Sequence, residues 1–121
     1  MMRLAKSLLL FSVITSLLSC GNKKEYAINN VGSGQVFRHE HGKDRPNVVV
    51  VDVGGELDGQ AYLYAYPCRE GRQKYMGKAI LDKGSVRENN RWDFYEEGPV
   101  CVEYIPVTAK KGHLSLQVGV Y

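Results

Sequence analysis

The stretch HLSLQVGVY, residues 113–121, alternates apolar and polar side chains without a break. Successive side chains of a strand point to opposite faces, so Leu114, Leu116, Val118 and Val120 share one face. His113, Ser115, Gln117 and Tyr121 share the other. Such alternation reads as a half-buried strand. The same period recurs upstream. In QAYLYAYP (60–67), Ala61, Leu63 and Ala65 oppose Tyr62, Tyr64 and Tyr66. In VCVEYIP (100–106), Val100, Val102 and Tyr104 oppose Cys101, Glu103 and Ile105. VVVVDV (48–53) is β-branched and nearly continuous, which predicts burial on both faces. QKYMGKAIL (73–81) reads as a strand, with SVRENN (85–90) and RWDFY (91–95) as weaker ones. Trp92 and Phe94 share a face and belong to the core. GGELDG (54–59), REGR (69–72) and EEGP (96–99) read as turns. Turns recur every 8–12 residues or so and no long helical period follows residue 20, the pattern of a sandwich or barrel. The fold class is all-β, a small antiparallel β-sandwich of about seven strands.

The first twenty residues are of another kind. MMRLAKSLLLFSVITSLLSC opens with Arg3 and Lys6 and continues into an apolar run over 7–18. That run is about a dozen residues, short of the roughly 20 needed to span a bilayer. A positive start, a short apolar centre and a small residue before the cut make a secretory signal peptide over 1–19. Residues 20–46 are interrupted by Asn29-Asn30, Gly32, Gly34, Gly42 and Pro46. They read as a tether with an edge strand around 35–41. The β-sandwich domain then occupies 47–121.

Charge is close to balanced. The chain has 16 Lys and Arg against 13 Asp and Glu, and the signal removes two of the bases, leaving 14 against 13. A near-neutral chain lacks the clustered basic face that nucleic acid requires, so nucleic acid is excluded as a partner.

The tetrapeptide Leu17-Leu18-Ser19-Cys20 resembles the lipobox of bacterial lipoproteins. The resemblance implies that Cys20 is lipidated, that the signal is cleaved before it, and that acyl chains hold the protein on a membrane. Each buried methylene contributes about 0.8 kcal/mol, so several chains anchor firmly. In that family an Asp after the cysteine favours inner-membrane retention. Gly21 stands there, which implies the outer membrane, with Lys23 and Lys24 at the headgroups. In plan alone the chain is similar to the transthyretin-like lipoprotein of type VI secretion and to small lysozyme-inhibitor lipoproteins. No functional motif of either matches residue by residue.

With Cys20 acylated, Cys68 and Cys101 remain. Two cysteines in an exported small domain predict a disulfide between them.

Four constellations could carry chemistry. His39 and His41, two apart on a strand, share a face and could ligate zinc with His113 as a third ligand. Their loop-like surroundings make a solvated polar segment the plainer reading, so no metal site is assigned. Asp52, Glu56, Asp58, Glu96 and Glu97 lie in or beside turns, where acids are normally solvated. No nucleophile elbow or Walker loop is present, and no motif for a cofactor. Tyr62, Tyr64 and Tyr66 form a row. If Ala61, Leu63 and Ala65 pack inward, the row faces out as a binding surface for an envelope protein or glycan. The reverse assignment would make the tyrosines core.

The expected function is a non-catalytic binding or assembly module of the bacterial envelope. An alternative is an inhibitor or immunity protein against a periplasmic hydrolase, inserting the stretch 82–98 as a protruding loop. A third is a metal-dependent enzyme at the histidines. The anchor has a direct test. Labelled fatty acid should enter the protein in bacteria and be lost in Cys20→Ser; equal labelling of that variant would refute the lipobox reading.

Overall fold

The computed structural model describes residues 22–121. The expected signal peptide, Cys20 and Gly21 lie outside them. Eight strands follow in order: β1 (Lys23–Ile28), β2 (Gln35–His39), β3 (Val48–Leu57), β4 (Ala61–Pro67), β5 (Gly77–Leu81), β6 (Gly84–Asp93), β7 (Val100–Pro106) and β8 (Gly112–Val120). They form two four-stranded antiparallel sheets. The first has the order β1-β8-β3-β6 and the second β2-β7-β4-β5. Only β4 and β5 are consecutive neighbours within one sheet; every other connection crosses to the opposite sheet.

The core lies between the sheets and is filled as the alternation requires. Val49, Val51 and Val53 on β3 face inward beside Leu114, Leu116, Val118 and Val120 on β8, all buried. The second sheet contributes Ala61, Leu63, Ala79, Leu81, Val100, Val102 and Tyr104. Phe94 joins them, and Trp92 packs against the cluster half-buried. The Tyr104 hydroxyl donates to the carbonyl of Val31 at 2.6 Å, which satisfies the one polar atom of that buried ring. Val50 points to the other side of β3 and is buried too. Tyr121 folds back across Gly119, the register neighbour of Val50.

Several expectations need correction. Within the expected tether, residues 23–28 form a strand. KKEYAI pairs along β8 from Lys23 opposite Gly119 to Ile28 opposite Leu114, as the edge of the first sheet. β2 is the edge of the second. Tyr26 and Ile28 supply the inward alternation, which the charged residues at 23–25 obscure. The glycines of GGELDG do not make a turn; β3 runs through to Leu57. At Gly55 φ is +143°, and a Cβ there would collide with the carbonyl oxygen of His113 on β8. Glycine serves close strand approach at this point rather than reversal. SVRENN and RWDFY fuse into the single edge strand β6. The front of QKYMGKAIL is a 3-10 turn over Arg72–Lys74, so β5 is only Gly77–Leu81.

The two open corners of the sandwich are closed by aromatic residues. At β1 and β2, the Tyr26 and Phe37 ring centres lie 5.0 Å apart. At β5 and β6, Trp92 lies against Gly77, where a Cβ would fall inside the indole. The predicted disulfide between Cys68 and Cys101 is present and closes a separation of 33 residues. It ties the end of β4 to the outward side of β7. Leu116 is fully buried at the centre of β8. Leu116→Ala should lower unfolding stability by roughly 2–5 kcal/mol, read from denaturant midpoints.

Candidate functional site

The alternation of β4 decides which side chains reach solvent on the second sheet. Ala61, Leu63 and Ala65 are fully buried, so Tyr62, Tyr64 and Tyr66 point outward. Register then places their neighbours. Tyr62 lies between Ile105 of β7 and Ile80 of β5. Tyr64 lies between Glu103 and Lys78. Tyr66 lies beside Cys101. The loop after Cys68, with its 3-10 turn, adds Arg72, Gln73 and Tyr75. The three tyrosines of β4, Glu103 and Ile105 of β7, and Arg72, Gln73 and Tyr75 line a shallow depression of about 730 Å³.

Tyr66 departs from the expected exposure. It points outward but is 7% exposed, because the segment following the cystine covers it. Its hydroxyl donates to Glu103 Oε1 at 3.0 Å, while Arg72 donates to Oε2 of the same carboxylate at 3.2 Å. Burial, then the bond to Glu103, raises the Tyr66 pKa. Glu103 is thereby occupied on both oxygens and serves as the brace of the floor.

Tyr62 and Tyr64 are half-buried, and Tyr75 is 50% exposed. The Tyr64 and Tyr75 rings meet edge to face at 5.2 Å, and Tyr62 and Tyr64 at 6.5 Å. Two cations lie over the ring faces. Lys78 Nζ is 4.4 Å from the centre of Tyr62 and 5.4 Å from that of Tyr64. The Arg72 guanidinium is 5.7 Å from the centre of Tyr64. Among the described residues Lys78 forms no ion pair with a carboxylate. The arrangement offers tyrosine edges and hydroxyls, an amide and two cations to a bound molecule. The nearby sulfurs of Cys68 and Cys101 are consumed in the disulfide.

Sequence reasoning found the tyrosines of β4 but missed Arg72, Tyr75, Lys78 and Glu103. Lys78 and Glu103 reach the site by cross-strand register, Arg72 from the turn after Cys68, and Tyr75 from a stretch read as strand. Alternation within one segment signals neither.

The other candidates separate. His39 is the one polar side chain in the buried set of described residues, at 2% exposure. Its Nε2–H donates to the carbonyl of Asn22 at 3.0 Å. That carbonyl only accepts, so Nδ1 is the bare nitrogen and receives the Tyr26 hydroxyl at 2.9 Å. His41 Nε2–H donates to the carbonyl of Gly98 at 2.6 Å, and its Nδ1 accepts from the Lys43 amide. His113 sits opposite Glu56, on the other sheet and at the other end of the sandwich from His39. The three are not brought together, and the described residues contain no cluster of three metal-ligating side chains. Most of 82–98, expected as a protruding loop, is β6. Asp58 accepts the backbone amides of Lys110 and Lys111, which lower its pKa and clamp the turn before β8. Asp52 pairs with Asn89 on the first sheet.

No protein-family model matches the chain, and no curated protein matches it. Among solved structures, a carbohydrate-binding module of family 29 is similar at 7% identity and a TM-score of 0.44, over 82% of this chain and 78% of that one. PirA is similar at 12% identity and a TM-score of 0.44, over 85% of this chain and 96% of that one. A designed double-stranded β-helix reaches a TM-score of 0.39 at 12% identity, over 82% and 97%. Likenesses this distant bear no functional argument.

His39 generates a pH prediction. Burial is the main force holding its pKa below the ordinary 6.5, with the electrostatic influence of nearby His41 and Lys24 adding to it. The bond to the Asn22 carbonyl and the charge of Glu40 act the other way. The unfolded chain therefore takes up a proton before the native chain does. Stability is complete above about pH 6.5 and declines as pH falls below it toward the lowered native value. The urea midpoint should drop between about pH 7 and about pH 5, and His39→Gln should flatten that dependence.

Proposed function

We propose that this chain is a lipid-anchored bacterial envelope protein acting as a non-catalytic binding module, and that its partner is an envelope protein seated on the outer face of the second sheet. One observation carries the reading: Tyr62, Tyr64 and Tyr75 share a single depression with Arg72, and Lys78 lies over the Tyr62 ring beside it. Tyrosine and arginine are the residue types that concentrate binding energy at protein interfaces. Both bring large contact area with few rotatable bonds to freeze or a planar fork of donors. The exposed side chains Val36 and Ile80 extend the apolar area on the same sheet.

The cations favour a protein over a sugar. Lys78 covers Tyr62 and Tyr64, and Arg72 covers Tyr64, so a flat pyranose ring would have to displace them in order to stack. An acidic side chain of a protein partner would instead complete Lys78. Attachment rests on the lipobox at Cys20, and placement at the outer membrane rests on Gly21.

The test compares capture from envelope extract by the mature protein and by Tyr64→Ala. A hot-spot tyrosine contributes about 2 kcal/mol or more, so recovery of the partner should fall more than about tenfold. The melting temperature should stay close to that of the unaltered protein, because the side chain is half-exposed. Undiminished capture by Tyr64→Ala would remove this face from the reading. Recovery of peptidoglycan in place of protein would turn it toward a glycan.

A further inference from the structure

One end of the sandwich gathers the exposed tyrosines. Asn22 enters there, its carbonyl held by buried His39. The chain finishes at the same end, because β1 begins opposite Gly119. The Tyr121 carbonyl accepts the amides of Asn47 at 2.7 Å and Val48 at 2.9 Å. The Phe94 amide bonds Asn47 in turn, which brings Tyr95 alongside. The Cys68 amide bonds the carbonyl of Pro99, which draws the 68–76 segment and Tyr75 to this end as well. Tyr75, Tyr95 and Tyr121 are 50%, 69% and 46% exposed. Of the six large apolar side chains exposed among the described residues, these are the three tyrosines. Of large apolar side chains, the loops at the other end, 29–34, 58–60, 82–83 and 107–111, expose only Val107.

Tyrosine has an apolar ring and a polar tip, which is why it is enriched where hydrocarbon meets headgroups. The occupant of this end follows from where the chain leaves the described residues. Cys20 is three residues before Lys23, so the two lie within about 11 Å even when fully extended. The apolar run 7–18 precedes it. Around the tyrosines, Lys23, Lys24, Lys43 and Arg45 are interspersed with Asp44, Glu96 and Glu97. Such a mixed surface needs no particular lipid charge.

We propose that this end of the sandwich, carrying Tyr75, Tyr95 and Tyr121, lies against the headgroup layer of the bilayer and fixes the orientation of the domain. The proposal rests on acylation of Cys20. It adds that the domain is docked rather than swinging on a tether. Tyr75 belongs both to this end and to the rim of the depression on the second sheet. The partner of that depression therefore meets the protein at the membrane surface.

The test uses the acylated full mature protein in phosphatidylcholine vesicles that include a lipid with a diazirine in its headgroup. Photolabelled peptides are mapped by mass spectrometry, which also reads the acyl mass on Cys20. Label should concentrate severalfold at 72–75, 94–97 and 121 over 29–34 and 107–111. In Tyr95→Ser/Tyr121→Ser, label at 72–75 should fall while the melting temperature is retained. Acylated protein labelled evenly at both ends would overturn the docking and leave the anchor standing. Absence of acyl mass on Cys20 would overturn both.

Discussion

The pleat of β4 is the constraint on which the rest depends. Ala61, Leu63 and Ala65 are small enough to sit against the opposing sheet without crowding it, and they are fully buried. Because the side-chain period is two, burying them sends Tyr62, Tyr64 and Tyr66 to the other face. A slip of one residue would bury three rings and expose three aliphatic side chains, so the register is strongly specified. Once β4 is fixed, β5 must present Lys78 beside Tyr64, and β7 must present Glu103 on its other flank. The disulfide pins the same register where β4 ends.

The two outer faces differ in how their side chains are used. On the first sheet two pairs of polar side chains satisfy one another. Ser115 donates to Glu25 at 2.7 Å and Asn89 to Asp52. On the second sheet the floor is internally satisfied, where Glu103 binds Tyr66 and Arg72. Above it Lys78, Tyr75 and Ile80 remain open to solvent. The edges divide similarly. β1 and β2 are joined across the sheets by Tyr26 and His39, next to the point where the chain enters.

Much of this was legible in the sequence, and what was not has physical reasons. The two faces of β8 could be read because its alternation is unbroken. The cystine could be read because removing Cys20 leaves one pairing. β1 was hidden because an edge strand beside solvent tolerates Lys23, Lys24 and Glu25, leaving only Tyr26 and Ile28 to mark an inner face. Gly54 and Gly55 read as a turn because glycine signals reversal and close strand approach with the same letter. The tyrosine row was visible, but its outward direction rested on the size of its alternating partners, and Tyr66 proved outward yet covered. Arg72, Tyr75 and Glu103 reach the depression, and Lys78 the tyrosines beside it, through pairing and a 3-10 turn, which are facts about distant segments meeting. The separation of His39 from His113 is of the same kind, since it depends on which sheet each strand joins.

The central claim is that one face of this sandwich, the outer side of β4, β5 and β7, is where a partner sits. The most direct measurement is photo-crosslinking in living bacteria, with a photoreactive amino acid at Ile80 on that face or at Gln117 on the outer face of the first sheet. A discrete higher-mass adduct at Ile80 and none at Gln117 is the result this account predicts. Adducts at Gln117 with none at Ile80 would contradict it and place the binding surface on the opposite sheet.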